Sequence, residues 1–144
     1  MNNQDGITLK GKLIISLNNK IVRETNNMVV TAGKEWVADR MSNASTVMTH
    51  MGIGTGSTTE ALGDTDLDTA IGLRLGLTTS GGVVAGAVIT YACHYPSGAH
   101  TGAIREAGIF TAATSGTMLA RTVFSVVNKG ALDSMTISWA VTIS

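Results

Sequence analysis

The stretch from Thr117 to Ser144 reads TMLARTVFSVVNKGALDSMTISWAVTIS, and it decides the fold. In its second half, apolar residues occupy every other position: Met135, Ile137, Trp139, Val141 and Ile143. Side chains alternate across a β-strand, so this spacing predicts a strand with one apolar and one small polar face. Bulky residues fall on both parities of the first half, which predicts a strand covered on both faces. Because an unpaired apolar strand would template aggregation, we expect the last strand to lie inside a sheet.

The rest of the chain alternates in the same way between turn signals. Strands are predicted over Ile7–Leu17, Lys20–Thr25, Val47–Ile53, Leu73–Leu77, Ala87–Tyr95 and Ala103–Thr111. Asn18-Asn19 fits a two-residue hairpin, and Asn26-Asn27 predicts a second turn. Residues 31–41 predict one short helix, with Thr31 as N-cap, an apolar stripe that ends at Met41, and Trp36 in the core. About eight strands and this helix indicate an all-β fold, a sandwich or barrel, with residues 1–144 as a single domain.

Composition limits the possible partners. The chain has 144 residues, and its ten basic and ten acidic residues cancel. Zero net charge argues against steering to nucleic acid or to an anionic membrane surface. Only 14% of residues are charged while 44% are hydrophobic, which slightly favours a surface that is partly buried against other subunits over an ordinary small β domain, with which the composition is also compatible. The one cysteine, Cys93, allows no disulfide within the chain, and we expect it to be a small buried apolar residue.

No targeting or membrane segment is expected. The N-terminal residues MNNQDGITLKGK lack a cationic head followed by an apolar run, so no secretory signal is predicted. The longest apolar stretch, Val83–Cys93, is far shorter than the ~20 residues that cross a bilayer. We therefore expect a protein that is made in the cytoplasm and stays soluble or assembles there.

Two loop motifs invite a binding interpretation. Gly52, Gly54 and Gly56 form a glycine ladder, but the ladder leads into a polar loop rather than a helix and carries no P-loop lysine. Asp64, Asp66 and Asp68 alternate like calcium ligands. An EF-hand loop would place glycine at position 69 and glutamate at position 75, where this chain has threonine and leucine. A strand end and a set of turn acceptors explain the two motifs more simply, and a loose cation site at the aspartates stays open.

The remaining polar residues yield no catalytic or metal constellation. Cys93 and His94 are adjacent, so on a strand they point to opposite faces, and with His100 and His50 they form a poor zinc set. Glu106 follows Arg105, and a local ion pair or a contact with another subunit explains it better than acid–base chemistry. No nucleophile motif occurs, and an aromatic content of 4% argues against a carbohydrate platform. We therefore assign no catalytic residue, no cofactor and no metal, and predict that the protein is not an enzyme.

Four segments resemble small structural proteins of tailed bacteriophages. They are VTAGKEWVADRM (Val30–Met41), THMGIGTGSTTEALGDTDL (Thr49–Leu67), AIREAGIF (Ala103–Phe110) and TMLARTVFSVVNKGALDSMTISWAV (Thr117–Val141). The resemblance covers most of the chain from Val30 onward. It is greatest to capsid cement or decoration proteins, and similar modules occur in tail or fibre components.

The resemblance implies a fold and a role. It implies a jelly-roll-like β-sandwich that forms homodimers or homotrimers, binds the major capsid protein on the outside of the phage head, and carries no catalytic residues. We expect capsid contacts at the loop Ser57–Asp68 and at the leading arm Met1–Asp5. The alternatives are a tail, neck or fibre-associated structural protein, and a small-ligand or sugar-binding β-sandwich with an aromatic-lined pocket.

Overall fold

The computed structural model describes residues 6–43 and 46–144, so the expected arm Met1–Asp5 lies outside the described residues. Within these ranges the chain forms nine strands and one helix. The elements are β1 (Leu9–Leu17), β2 (Lys20–Val29), α1 (Thr31–Ser42), β3 (His50–Gly54), β4 (Leu75–Gly76), β5 (Val83–Ala85), β6 (Val88–Tyr95), β7 (Gly102–Phe110), β8 (Met118–Lys129) and β9 (Met135–Ile143). The all-β fold with one short helix is confirmed. The strand β5 was not predicted, because three residues are too few to show an alternation.

The strands form one continuous antiparallel sheet. Their order is β4-β3-β7-β8-β2-β1-β9-β6-β5, and the sheet curls into a half-barrel. The last strand, β9, lies between β1 and β6 in a ladder that pairs Trp139 with Leu13 on one side and with Tyr91 on the other. The short strands β4 and β5 form the two edges.

The core lies on the concave side of the half-barrel, where the alternation of β9 is confirmed. Met135, Ile137 and Trp139 are fully buried, and Val141 is 3% exposed. Ile143 departs from the pattern at 37% exposed, because it lies at the open end of the sheet. Each fully buried side chain of this size stabilises the fold by about 1.5–3 kcal/mol.

The two asparagine pairs behave differently. Asn18 and Asn19 have φ values of 50° and 67° and close the β1–β2 hairpin, as predicted. The turn predicted at Asn26-Asn27 is wrong, because β2 continues through both residues. Asn27 pairs with Gly11, and its side chain occupies the space that a Cβ at Gly11 would fill. The missing side chain on β1 therefore allows a polar residue to stay inside the ladder.

The helix is confirmed to within one residue, but its cap and its buried face differ from the prediction. Val30 is the N-cap, and no side chain caps the helix. Gly33 is the buried residue of α1, since a Cβ there would overlap the backbone carbonyl of Leu119. Trp36 is only partly buried, and Met41 is 79% exposed. The helix thus packs on β8 through backbone at its first turn, Trp36 and Val37 pack against the core, and the helix end at Met41 is exposed.

Candidate interaction surface

The loop that follows β3 is the most distinctive feature of the surface. It leaves the sheet after Gly56 and returns at Ala70, which forms an isolated bridge with Gly54. The Thr55 N–H donates to the Thr69 carbonyl at 2.9 Å, so the two ends of the loop are hydrogen-bonded to each other. A compact loop of this length with joined ends is an Ω-loop. We call residues 57–69 the Ω-loop.

A single carboxylate holds the inner side of the Ω-loop. Glu106 projects from β7 and is fully buried. Its Oε2 accepts the backbone N–H groups of Gly56 at 2.9 Å and of Thr69 at 2.7 Å. Its Oε1 accepts the N–H of Asp68 at 2.8 Å. Both ends of the loop therefore converge on one negative charge, which compensates donors that would otherwise be buried without partners.

The charge of Glu106 is balanced by Arg121 on the neighbouring strand β8. Arg121 is 2% exposed, and its Nη2 lies 3.0 Å from Glu106 Oε1. The same guanidinium donates to Asp64 Oδ2 at 2.9 Å and to the Thr58 carbonyl at 3.0 Å. Burial acts to lower the pKa of Arg121, but the hydrogen bonds to Glu106 and Asp64 outweigh it and raise the pKa above its usual value. Arg121 is therefore a permanent cation at the base of the loop.

The three aspartates of the loop serve as hydrogen-bond acceptors. Asp64 Oδ2 accepts the Ala61 N–H, and Asp68 Oδ2 accepts the Thr58 hydroxyl at 2.8 Å. Asp66 Oδ1 accepts from its neighbour's backbone N–H and from Arg74 Nη2 at 3.2 Å. These bonds are the turn acceptors that the sequence predicts.

The glycine ladder makes room for this arrangement. A Cβ at Gly56 would overlap Glu106 Oε2, and one at Gly54 would overlap the Thr69 carbonyl. A Cβ at Gly52 would lie 3.1 Å from a methyl group of Leu67. The ladder therefore lets the Ω-loop and the Glu106 carboxylate approach the backbone of β3 closely.

Glu106 was expected to form a local ion pair or to contact another subunit, and its ion-pair partner is instead Arg121.

The Cys93 prediction is confirmed: the thiol is buried, and burial raises its pKa to about 11. His94 is exposed and contacts Thr136, whereas His100 Nε2 lies 2.7 Å from the Leu73 carbonyl. In residues 6–43 and 46–144, no three His, Cys, Asp or Glu side chains converge as a metal site would require.

A second surface feature lies between α1 and the sheet. Two adjoining concavities of about 290 Å³ and 580 Å³ separate the helix from the open end of the sheet. Their shared lining is apolar and comprises Leu9, Val37, Met41 and Ile143. The smaller concavity also contains Trp36, Tyr91 and Val84. We call this feature the helix groove. Trp36 was expected in the core, but it lines this groove while its indole N–H donates to the Thr46 carbonyl.

Comparison with protein families, with curated proteins and with solved structures finds no match for this chain. The one helix of the described residues, α1, has 12 residues and is not long and apolar enough to span a membrane.

Proposed function

We propose that this protein is a capsid cement protein, which binds the outside of a phage head and stabilises the lattice of the major capsid protein. Its location would then be the virion, after synthesis in the host cytoplasm. The assignment to a phage head rests on the resemblance of the four segments described above. The kind of function, binding through a preformed surface, rests on the Ω-loop.

The observation that carries the proposal is the bracing of an exposed loop by a buried ion pair. Burying two charges costs several kcal/mol of desolvation per ion, and their mutual attraction offsets this only with good geometry. Glu106 and Arg121 meet that condition through the bonds that they make to the backbone of the loop. A loop that served only to connect β3 with β4 would not need a buried ion pair to fix its conformation.

The outer side of the Ω-loop is available for contact. Ser57, Thr59, Leu62 and Thr65 are exposed, and Leu62 exposes 49% of its surface. Because the loop is already ordered, a partner that binds it avoids much of the entropy cost of ordering a flexible segment. Cement proteins bind assembled subunits and not separated ones, so each such contact stabilises the shell by linkage.

The chemistry of the chain fits repeated binding to a lattice. Zero net charge allows many copies to lie close together without long-range repulsion. We further propose a homodimer or homotrimer, with neither nucleic acid nor membrane as a partner. The jelly-roll-like β-sandwich that the resemblance implies for this chain remains a prediction, since the described residues form one curled antiparallel sheet.

The alternative is a tail, neck or fibre-associated structural protein. Its binding physics would be the same, since a braced loop serves any symmetric assembly. The two functions differ in copy number, which is hundreds per particle for a cement protein and a few to tens for a tail component.

The experiment that tests the loop contact is co-sedimentation of purified chain with heads that lack it. We expect Thr59→Lys/Thr65→Lys to weaken binding at least about tenfold, because each buried ammonium group must be desolvated in the interface. The matched control is Leu132→Lys, a lysine substitution at a site 92% exposed in the β8–β9 turn. Equal binding by both variants would exclude the Ω-loop as the contact, and failure of the unmodified chain to bind would exclude the cement function.

A further inference from the structure

The strand β5 forms an open edge of the sheet. Among the described residues it pairs only with β6, through Val83–Thr90, Val84–Ile89 and Ala85–Val88. Val83 and Val84 are 56% and 67% exposed. Soluble proteins usually protect such edges with very short strands, lysine, proline or a bulge, and of these β5 has only its length of three residues.

The backbone of Val84 faces away from β6. The Ile143 N–H donates to the Ala87 carbonyl at 2.9 Å, so the backbone hydrogen-bonding groups of Ala87 point toward β9. The backbone N–H and C=O groups of successive residues point to opposite sides of a strand. Those of Val88 and Thr90 therefore point toward β5, where the two residues pair with Ala85 and Val83. Val84 lies between these two hydrogen-bonded pairs, and its N–H and C=O therefore point out of the sheet.

The two strands at this edge carry no formal charge, and Arg40 is a charged side chain that lines the helix groove together with Val84. The chain contains no Asp, Glu, Lys or Arg from Leu75 through Ile104, a segment that includes all of β5 and β6. When a strand pairs with a copy of itself about a two-fold axis, each residue near the axis meets itself or a near neighbour. Charges of one sign would repel there, and an uncharged strand avoids that repulsion.

An apolar surface adjoins the same edge. Val84 lines the helix groove together with Leu9, Met41 and Ile143. A specific interface buries more than about 1,000 Å² in total, and a three-residue strand is too short to do so alone. The groove adds apolar side chains on the side of the sheet that Val84 lines, and the exposed Val83 extends the apolar surface along the edge.

We propose that two copies of this chain dimerise by antiparallel pairing of β5 with β5, with Val84 on the two-fold axis. In this arrangement each Val84 N–H donates to the Val84 carbonyl of the other copy, and the sheets join into one. The helix grooves of the two copies then lie beside the joint and are partly covered by it. This inference deepens the homo-oligomer of the proposed function by naming its symmetry and its contact. It does not depend on binding to a capsid.

The test is the mass of the purified full chain in solution, measured by light scattering over a dilution series from about 1 mM to 1 μM. We expect twice the 14.9 kDa chain mass at the concentrated end. Val84→Pro removes the outward N–H without removing a bond to β6, and we expect it to be monomeric at every concentration. Val84→Lys places two ammonium groups at the axis and should act in the same way even if the proline variant fails to fold.

The matched control is Val22→Lys, which changes an exposed valine on β2, a strand away from the β5 edge, and should leave the dimer intact. A monomeric unmodified chain, a trimer, or a folded Val84→Lys dimer of unchanged affinity would each overturn the proposal. A dimer in solution that fails to bind heads would leave this inference standing and would count against the cement function alone.

Discussion

Glu106 and Arg121 form a buried ion pair, with Arg121 Nη2 3.0 Å from Glu106 Oε1 and both side chains at most 2% exposed. The two residues lie on neighbouring strands, β7 and β8, and each makes hydrogen bonds to the Ω-loop. The core of the sheet and the Ω-loop are therefore joined at this pair. Changes here should alter the loop and the stability of the fold together.

Removing the carboxylate should destabilise the protein strongly. Glu106→Ala leaves the Arg121 charge buried and three backbone N–H groups without their acceptor. We expect the free energy of unfolding to fall by about 3–5 kcal/mol, measured by denaturant titration. The neighbouring, only partly buried Arg105→Gln should change it by less than about 0.5 kcal/mol. Equal effects of the two changes would contradict the role given to Glu106.

We expect substitution of a ladder glycine to destabilise the protein only where the Ω-loop or the Glu106 carboxylate lies against that glycine. Gly56→Ala would place a methyl group on Glu106 Oε2, and we expect a loss of about 1–3 kcal/mol of stability. Gly63 lies in the same loop and is the matched control, because a Cβ added there would have nothing within 4 Å. Gly63→Ala should be neutral or slightly stabilising, because it reduces the entropy of the unfolded chain. Unchanged stability of Gly56→Ala would contradict the close approach of the Glu106 carboxylate to Gly56.

The thiol of Cys93 should be chemically inert in the native protein. Burial raises its pKa to about 11, so only about one thiol in a thousand is ionised at pH 8. Its side chain is also fully buried. We expect no labelling by an alkylating or disulfide reagent until denaturant is added, followed by labelling of one group per chain. Rapid labelling of the folded protein would contradict this burial.

The β1–β2 turn and the β8–β9 turn are joined by a hydrogen bond between Asn18 and Asp133, and this bond should weaken when the Asp133 carboxylate is protonated. The Asn18 side-chain amide donates to Asp133 Oδ1 at 2.8 Å, and this bond, with one from the Gly130 N–H, lowers the pKa of Asp133. A carboxyl whose folded-state pKa is depressed contributes stability above its unfolded pKa of about 3.9 and loses it as the pH falls through the folded value.

The stability advantage of the unmodified chain over Asp133→Asn should therefore shrink as the pH is lowered from 5 toward 2. Asn18→Gly removes the donor but keeps a residue suited to the φ of 50° at this turn, so it should weaken the same acid-dependent contribution. Thermal melts of the three proteins over this pH range measure the difference. A constant difference between the unmodified chain and Asp133→Asn would contradict the link between the turns.

Local patterns allowed much of the fold to be predicted. The alternation of β9 and the Asn18-Asn19 turn depend on neighbouring residues, and both are confirmed. The turn expected at Asn26-Asn27 failed because Gly11, distant in the sequence, leaves room for Asn27 inside the ladder. Contacts of this kind can override the local preference of a residue.

Only part of the candidate interaction surface could be predicted from the sequence. The length and polarity of the loop marked Ser57–Asp68 as a candidate contact, and its glycines and aspartates stood out. The bracing pair could not be identified, because Glu106 and Arg121 lie far along the chain from the loop that they bind. In the sequence, each of these two charged residues stands within a largely apolar stretch. A charged residue in such a stretch indicates a buried ion-pair partner but does not identify that partner.

The most direct test of the proposed cement function is the copy number of this chain in phage virions purified from the culture that produces it. Quantitative mass spectrometry against the major capsid protein gives this ratio. We predict a ratio near one-to-one or a simple lattice fraction of it, and heads stripped of the chain should rupture more easily. A few copies per particle would contradict the cement function and favour the tail or neck, and absence from virions would contradict both.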